Sequence, residues 1–77
     1  MHKYCTDVMI HIDEDLADHE IHSLERDISS LPGVYSACVN DRTRHLMLVD
    51  YDPEGVHALD LLSTVLSRGV SAELVGL

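Results

Sequence analysis

Between Asp7 and Asp13 apolar and polar residues alternate, with Val8, Ile10 and Ile12 on one side and Met9, His11 and Asp13 on the other. A period of two belongs to a strand with one buried face, so this segment is predicted as the first strand. After the acidic stretch Asp13-Glu14-Asp15, the residues Ala17, Ile21, Leu24, Ile28 and Leu31 recur at steps of four, three, four and three. That is the apolar stripe of a helix, predicted over residues 15 to 30. Asp15 is expected to accept hydrogen bonds from the first-turn amides and Asp18 to add negative charge there, while Leu31-Pro32-Gly33 ends the helix.

Val34 to Asn40 is short and rich in small and β-branched residues, and the polar tip Asp41-Arg42-Thr43-Arg44 separates it from an apolar run, Leu46 to Tyr51. The pair reads as a hairpin. Beyond the turn Tyr51-Asp52-Pro53-Glu54-Gly55, residues Val56, Leu59, Leu61, Leu62, Val65 and Leu66 recur at helical spacing up to Gly69. In the tail from Val70 to Leu77, Ala72 and Leu74 fall on one side and Ser71 and Glu73 on the other, which fits a closing strand. Strand, helix, strand, strand, helix, strand is the ferredoxin-like βαββαβ order of the α+β class, a four-stranded antiparallel sheet with both helices on one face. Met9, His11, Ser36, Cys38, Leu46, Leu48 and Asp50 are placed on the open face, more apolar than a solvated sheet surface requires.

At 77 residues, with 45% hydrophobic residues and neither Phe nor Trp, the chain makes one domain, residues 1–77, with one aliphatic core. Fourteen acidic residues against five basic give a formal net charge of -9, which disfavours nucleic acid and anionic membranes and favours cations. No apolar run approaches the roughly 18 residues that span a bilayer, and Met1-His2-Lys3-Tyr4-Cys5 lacks a signal peptide's apolar stretch; a cytoplasmic location without membrane insertion is expected. Cys5 and Cys38 are too few and too far apart for a zinc knuckle or a disulfide framework. With no nucleophile elbow, no phosphate-cradling glycine loop and no enclosed carboxylate pair, no catalysis is expected.

Several short marks recur in a fixed order: Leu31-Pro32-Gly33-Val34, Val39-Asn40, Tyr51-Asp52-Pro53-Glu54, and Arg68-Gly69 before Ala72-Glu73-Leu74-Val75. In these the chain resembles the heavy-metal-associated domains, small metal carriers and soluble domains of metal-pumping P-type ATPases. The resemblance implies a role in metal homeostasis, with a metal ion, a metal-transporting ATPase or a second copy as partner. Members of that family grip a soft ion through a Met-x-Cys-x-x-Cys loop before the first helix. Counting back from Leu31-Pro32-Gly33-Val34, the two cysteine positions fall on Ala17 and Glu20 and the Met on Asp15, so the motif is absent.

The same region carries Asp15, Asp18, His19 and His22, whose spacing puts imidazole and carboxylate groups on one face of the first helical turns. These four are the candidate metal ligands; as nitrogen and oxygen donors they are expected to take a divalent Zn, Co, Ni or Cd ion, with Cu(I) disfavoured. The competing reading is a solvated helix face opposite the Ala17-Ile21-Leu24 stripe. His11 and Asp13 can extend such a site from the open sheet face, with His45 near them in space. His2 and Cys5 form a His-x-x-Cys spacing at the amino end, Cys38 reads as a small strand residue, and His57 as solvent-exposed. The alternative function is a metal-free interaction module that dimerises or docks on a transporter through its open face.

Overall fold

The computed structural model describes residues 6–75; His2 and Cys5 lie outside the described residues. The chain runs β1 (Thr6–Ile12), α1 (Asp18–Ser29), β2 (Val34–Asn40), β3 (Thr43–Tyr51), α2 (Ala58–Ser67) and β4 (Ala72–Val75). The four strands form one sheet in the order β2-β3-β1-β4, and each neighbouring pair is antiparallel. This is the expected ferredoxin-like arrangement, with β1 and β3 in the middle and β2 and β4 at the edges.

Strand alternation and helix stripes meet in one core. Val8, Ile10 and Ile12 from β1 and Met47, Val49 and Tyr51 from β3 pack against Ile21, Leu24 and Ile28 of α1 and Leu61 and Val65 of α2. Seven of these side chains, Ile10, Ile12, Ile28, Met47, Val49, Leu61 and Val65, are fully buried, each stabilising by about 1.5–3 kcal/mol relative to exposure. Leu31, expected in this core, is half-buried, because it lies past the end of α1 in the turn before β2. Among the described residues no Asp, Glu, His or Arg side chain is buried, so the charged groups lie at the surface.

Two boundaries differ from the expectation. The helix α1 begins at Asp18 and not near residue 15: Ala17 is extended (φ −71°, ψ 160°), and its amide donates to Glu20 Oε1 at 2.9 Å. Glu20 therefore caps the first turn, the role expected of Asp15, and Ala17 offers no side-chain acceptor in return. The strand β3 begins at Thr43, because Asn40 pairs with Thr43 and Asn40 Oδ1 accepts from the Arg42 amide at 2.8 Å, closing a two-residue tip. Closing of α2 is as expected, with Gly69 at φ +80° just past its end. Among the described residues no helix is long and apolar enough to cross a membrane.

Candidate metal centre

Polar groups gather where β1 leaves the sheet. In the antiparallel β1–β4 ladder His11 stands directly opposite Glu73, on the face away from the helices. The ladder continues one step further, since the Asp13 amide donates to the Ser71 carbonyl at 2.8 Å and the Ser71 amide donates to Glu14 Oε1 at 2.9 Å. These bonds keep Asp13 beside β4. As a result one ligand atom each from His11, Asp13 and Glu73 lies within 4.8 Å of the others, the spacing of a group that can hold a metal ion.

His11 Nδ1 is 2.9 Å from Asp13 Oδ1. With the Nδ1 proton donated to that carboxylate, the Nε2 lone pair is left for an ion; with Nδ1 unprotonated, both groups face the ion together. The His45 ring stacks on His11, with centroids 6.0 Å apart and planes 19° from parallel. Its Nδ1 lies 2.7 Å from the Ile12 carbonyl, which fixes the ring at the edge of the group and leaves Nε2 outward when Nδ1–H is the donor. His11 and Asp13 are 40% and 50% exposed, so an ion can reach them without any rearrangement of the core.

The four residues singled out at the start of α1 are all exposed and do not form such a group. Asp15 sits in the loop before the helix. Asp18 pairs with Arg44 at 2.8 Å, and this guanidinium, which also donates to the Leu16 carbonyl at 3.1 Å, holds the Asp18 carboxyl below its ordinary range. His22 Nδ1 lies 3.1 Å from Glu25 Oε1, and His19 lines an open groove of about 390 Å³ with Glu20, Arg26 and Arg68. Cys38 is an exposed free thiol on the open face, and His57 is the exposed N-cap of α2.

The residue that sequence reasoning missed is Glu73. Two signals pointed to it: alternation puts it on the side of β4 away from Ala72 and Leu74, and the βαββαβ order puts β4 beside β1.

No family model matches the sequence, and no curated protein matches it. Solved structures match over nearly the whole chain. Oxidized MerP from Ralstonia metallidurans CH34 is 15% identical, with 94% of this chain and 99% of that chain covered at a TM-score of 0.83. A copper-binding domain from HMA7, a P-type ATPase, is 20% identical over 91% of this chain and 93% of that one, at 0.81. The copper chaperone of Enterococcus hirae in its apo form is 18% identical over 88% and 98%, at 0.79. These neighbours overturn the expectation that the ion is Zn, Co, Ni or Cd with Cu(I) disfavoured: that expectation weighed the donors of one loop, whereas the fold is shared with copper-binding proteins. In fold, the chain is a heavy-metal-associated-like domain.

Proposed function

We propose that this chain is a metal-homeostasis domain, a small carrier or a soluble domain of a metal-transporting P-type ATPase, that takes a metal ion at His11, Asp13 and Glu73. The observation that carries the reading is the convergence of those three groups on one exposed corner of a fold shared with copper-binding domains. One imidazole and two carboxylates supply three donors and leave further coordination positions open, as suits an ion that is to be handed on. A second placement is the start of α1, where Asp15, Asp18, His19 and His22 are all exposed.

Amide NMR during addition of copper, as Cu(I) under reductant and separately as Cu(II), distinguishes the two. Binding at the proposed centre perturbs or broadens the amides of residues 11–13 and 72–74 first, and His11→Ala with Glu73→Gln weakens it at least tenfold. Effects centred on residues 15–22, lost in His19→Ala with His22→Ala, move the site to the helix start. Diffuse effects in both forms, unchanged by either pair of substitutions, refute the metal reading. Binding also weakens on acidification, because protons compete with the ion for the imidazole lone pair.

A further inference from the structure

The strand register assembles a row that the sequence does not display. Cys38 pairs with Leu48, Leu48 with Met9, and Met9 with Val75, so four apolar side chains cross the open face from one edge strand to the other. Met9, Leu48 and Val75 are 37%, 46% and 37% exposed, and beside them lies a hollow of about 240 Å³ walled by Met9, Cys38, Leu46 and Leu48. The rows that flank it differ in chemistry. Two residues along β1 in one direction stands Asp7, paired with Asp50; two residues in the other direction stands His11, between Leu46 and Glu73.

We propose that a second copy of this chain covers the open face, and that a cation held at His11, Asp13 and Glu73 is the condition for its doing so. The inference rests on the metal reading above. A twofold axis crossing the strands at the Met9 row lays apolar row on apolar row, the self-complementary contact of an isologous dimer. Because Asp7 and His11 lie at equal steps from Met9, about 7 Å each way, the same axis sets each copy's His11–Glu73 row over its partner's Asp7 row.

Charge then decides when the contact forms. Without an ion, Asp13 and Glu73 of one copy oppose Asp7 of the other, in two chains that each carry a formal net charge of -9. With Cu(II) bound, its two positive charges cancel those of Asp13 and Glu73, so the repulsion of the opposing Asp7 carboxylate is lifted and Asp7 can fill an open coordination position. Area argues the same way. Four strands at about 4.8 Å spacing and a few rows make a footprint on the order of 300 Å². Even doubled for side-chain relief this is below the roughly 800 Å² per partner of a standard interface, so the apolar row alone does not hold a stable dimer.

The test is sedimentation velocity on the full chain, with EDTA or with stoichiometric Cu(II) at equal ionic strength, beside the Cu(II) paramagnetic resonance spectrum that counts bound ion. Expected are a monomer in EDTA and a dimer with Cu(II). His11→Ala loses both the cluster-bound ion and the dimer. Leu48→Asp, at an exposed position, keeps the ion and weakens the dimer at least tenfold, and Asp7→Asn weakens it several-fold without loss of ion. A chain that binds Cu(II) at the cluster and stays monomeric refutes the inference and leaves the proposed function standing. A dimer of equal strength in EDTA also refutes it. A chain that binds no ion at the cluster removes both.

Discussion

Glu25 offers a measurable account of how an edge strand is held to its helix. The strand β2 is at the sheet edge, where backbone groups lack a neighbouring strand. Its Val39 amide, next to a register shift, donates to Glu25 Oε2 at 2.7 Å across the α1–β2 contact. The other carboxylate oxygen lies 3.1 Å from His22 Nδ1, and the Glu25 side chain is 20% exposed. A hydrogen bond to a charged group contributes about 1.5–3 kcal/mol, and partial solvent access puts this one at the low end, about 1.5. In Glu25→Ala the gain in helix propensity offsets a few tenths of a kcal/mol, leaving a net loss of about 1 kcal/mol. For a domain of this size that lowers Tm by about 4–8 °C, and it lowers the urea midpoint by up to about 1 M at an m-value near 1 kcal/mol/M. Glu25→Gln keeps an acceptor and should recover more than half of the loss. Urea unfolding gives the magnitude, and amide exchange at Val39, faster in the Ala variant than at its neighbours, gives the location. A Glu25→Ala protein as stable as the parent with Val39 exchange unchanged refutes the argument. If Gln costs as much as Ala, charge rather than the hydrogen bond is what matters.

Two further outcomes follow from the core and from the Asp18–Arg44 ion pair. Ile10→Ala removes a fully buried side chain from the central strand and should cost about 2–5 kcal/mol, enough to unfold much of a small domain at 37 °C, as circular dichroism against temperature will show. The Asp18 carboxyl is lowered by its hydrogen bond and charge interaction with Arg44, so its small contribution to stability is present above the ordinary carboxylate range and is lost as pH falls through the lowered value. Arg44→Ala should return the Asp18 titration, followed by carboxyl NMR, to the ordinary range, and an unshifted titration in the parent contradicts the ion pair.

The elements were legible because each has a period that its burial enforces. Val8, Ile10 and Ile12 read as a strand face and Ile21, Leu24 and Ile28 as a helix stripe, and those residues are the core. The start of α1 was not legible, because its cap is a contact reaching backward: Glu20 serves the Ala17 amide, and alanine carries none of the marks of a capping residue. Acidic residues before a helix look like caps whether or not their oxygens reach an amide, and Asp15 does not cap this one. The candidate site was half legible. His11 and Asp13 were visible from alternation alone, but their third partner is about sixty residues away, and a register between β1 and β4 is fixed by packing of the whole sheet and not by local spacing.

The separation of site from core gives the functional tests their meaning. No charged side chain is buried among the described residues, and His11, Asp13 and Glu73 stand on the face opposite the one that α1 and α2 cover. Replacing His11 or Glu73 therefore removes a ligand without opening a cavity or leaving a polar group unpaired in the interior, and surface changes of that kind usually shift stability by less than about 0.5 kcal/mol. Removing Glu73 also relieves repulsion with Asp13 in a chain of net charge -9, so stability without ion should hold steady or rise slightly. A His11→Ala or Glu73→Gln protein with an unchanged urea midpoint and a lost copper response locates the response in those side chains. An equal fall in midpoint and in copper response would instead mean that the corner holds β4 to β1, a structural role that the bonds from the Asp13 amide to the Ser71 carbonyl and from the Ser71 amide to the Glu14 carboxylate already fill without either side chain.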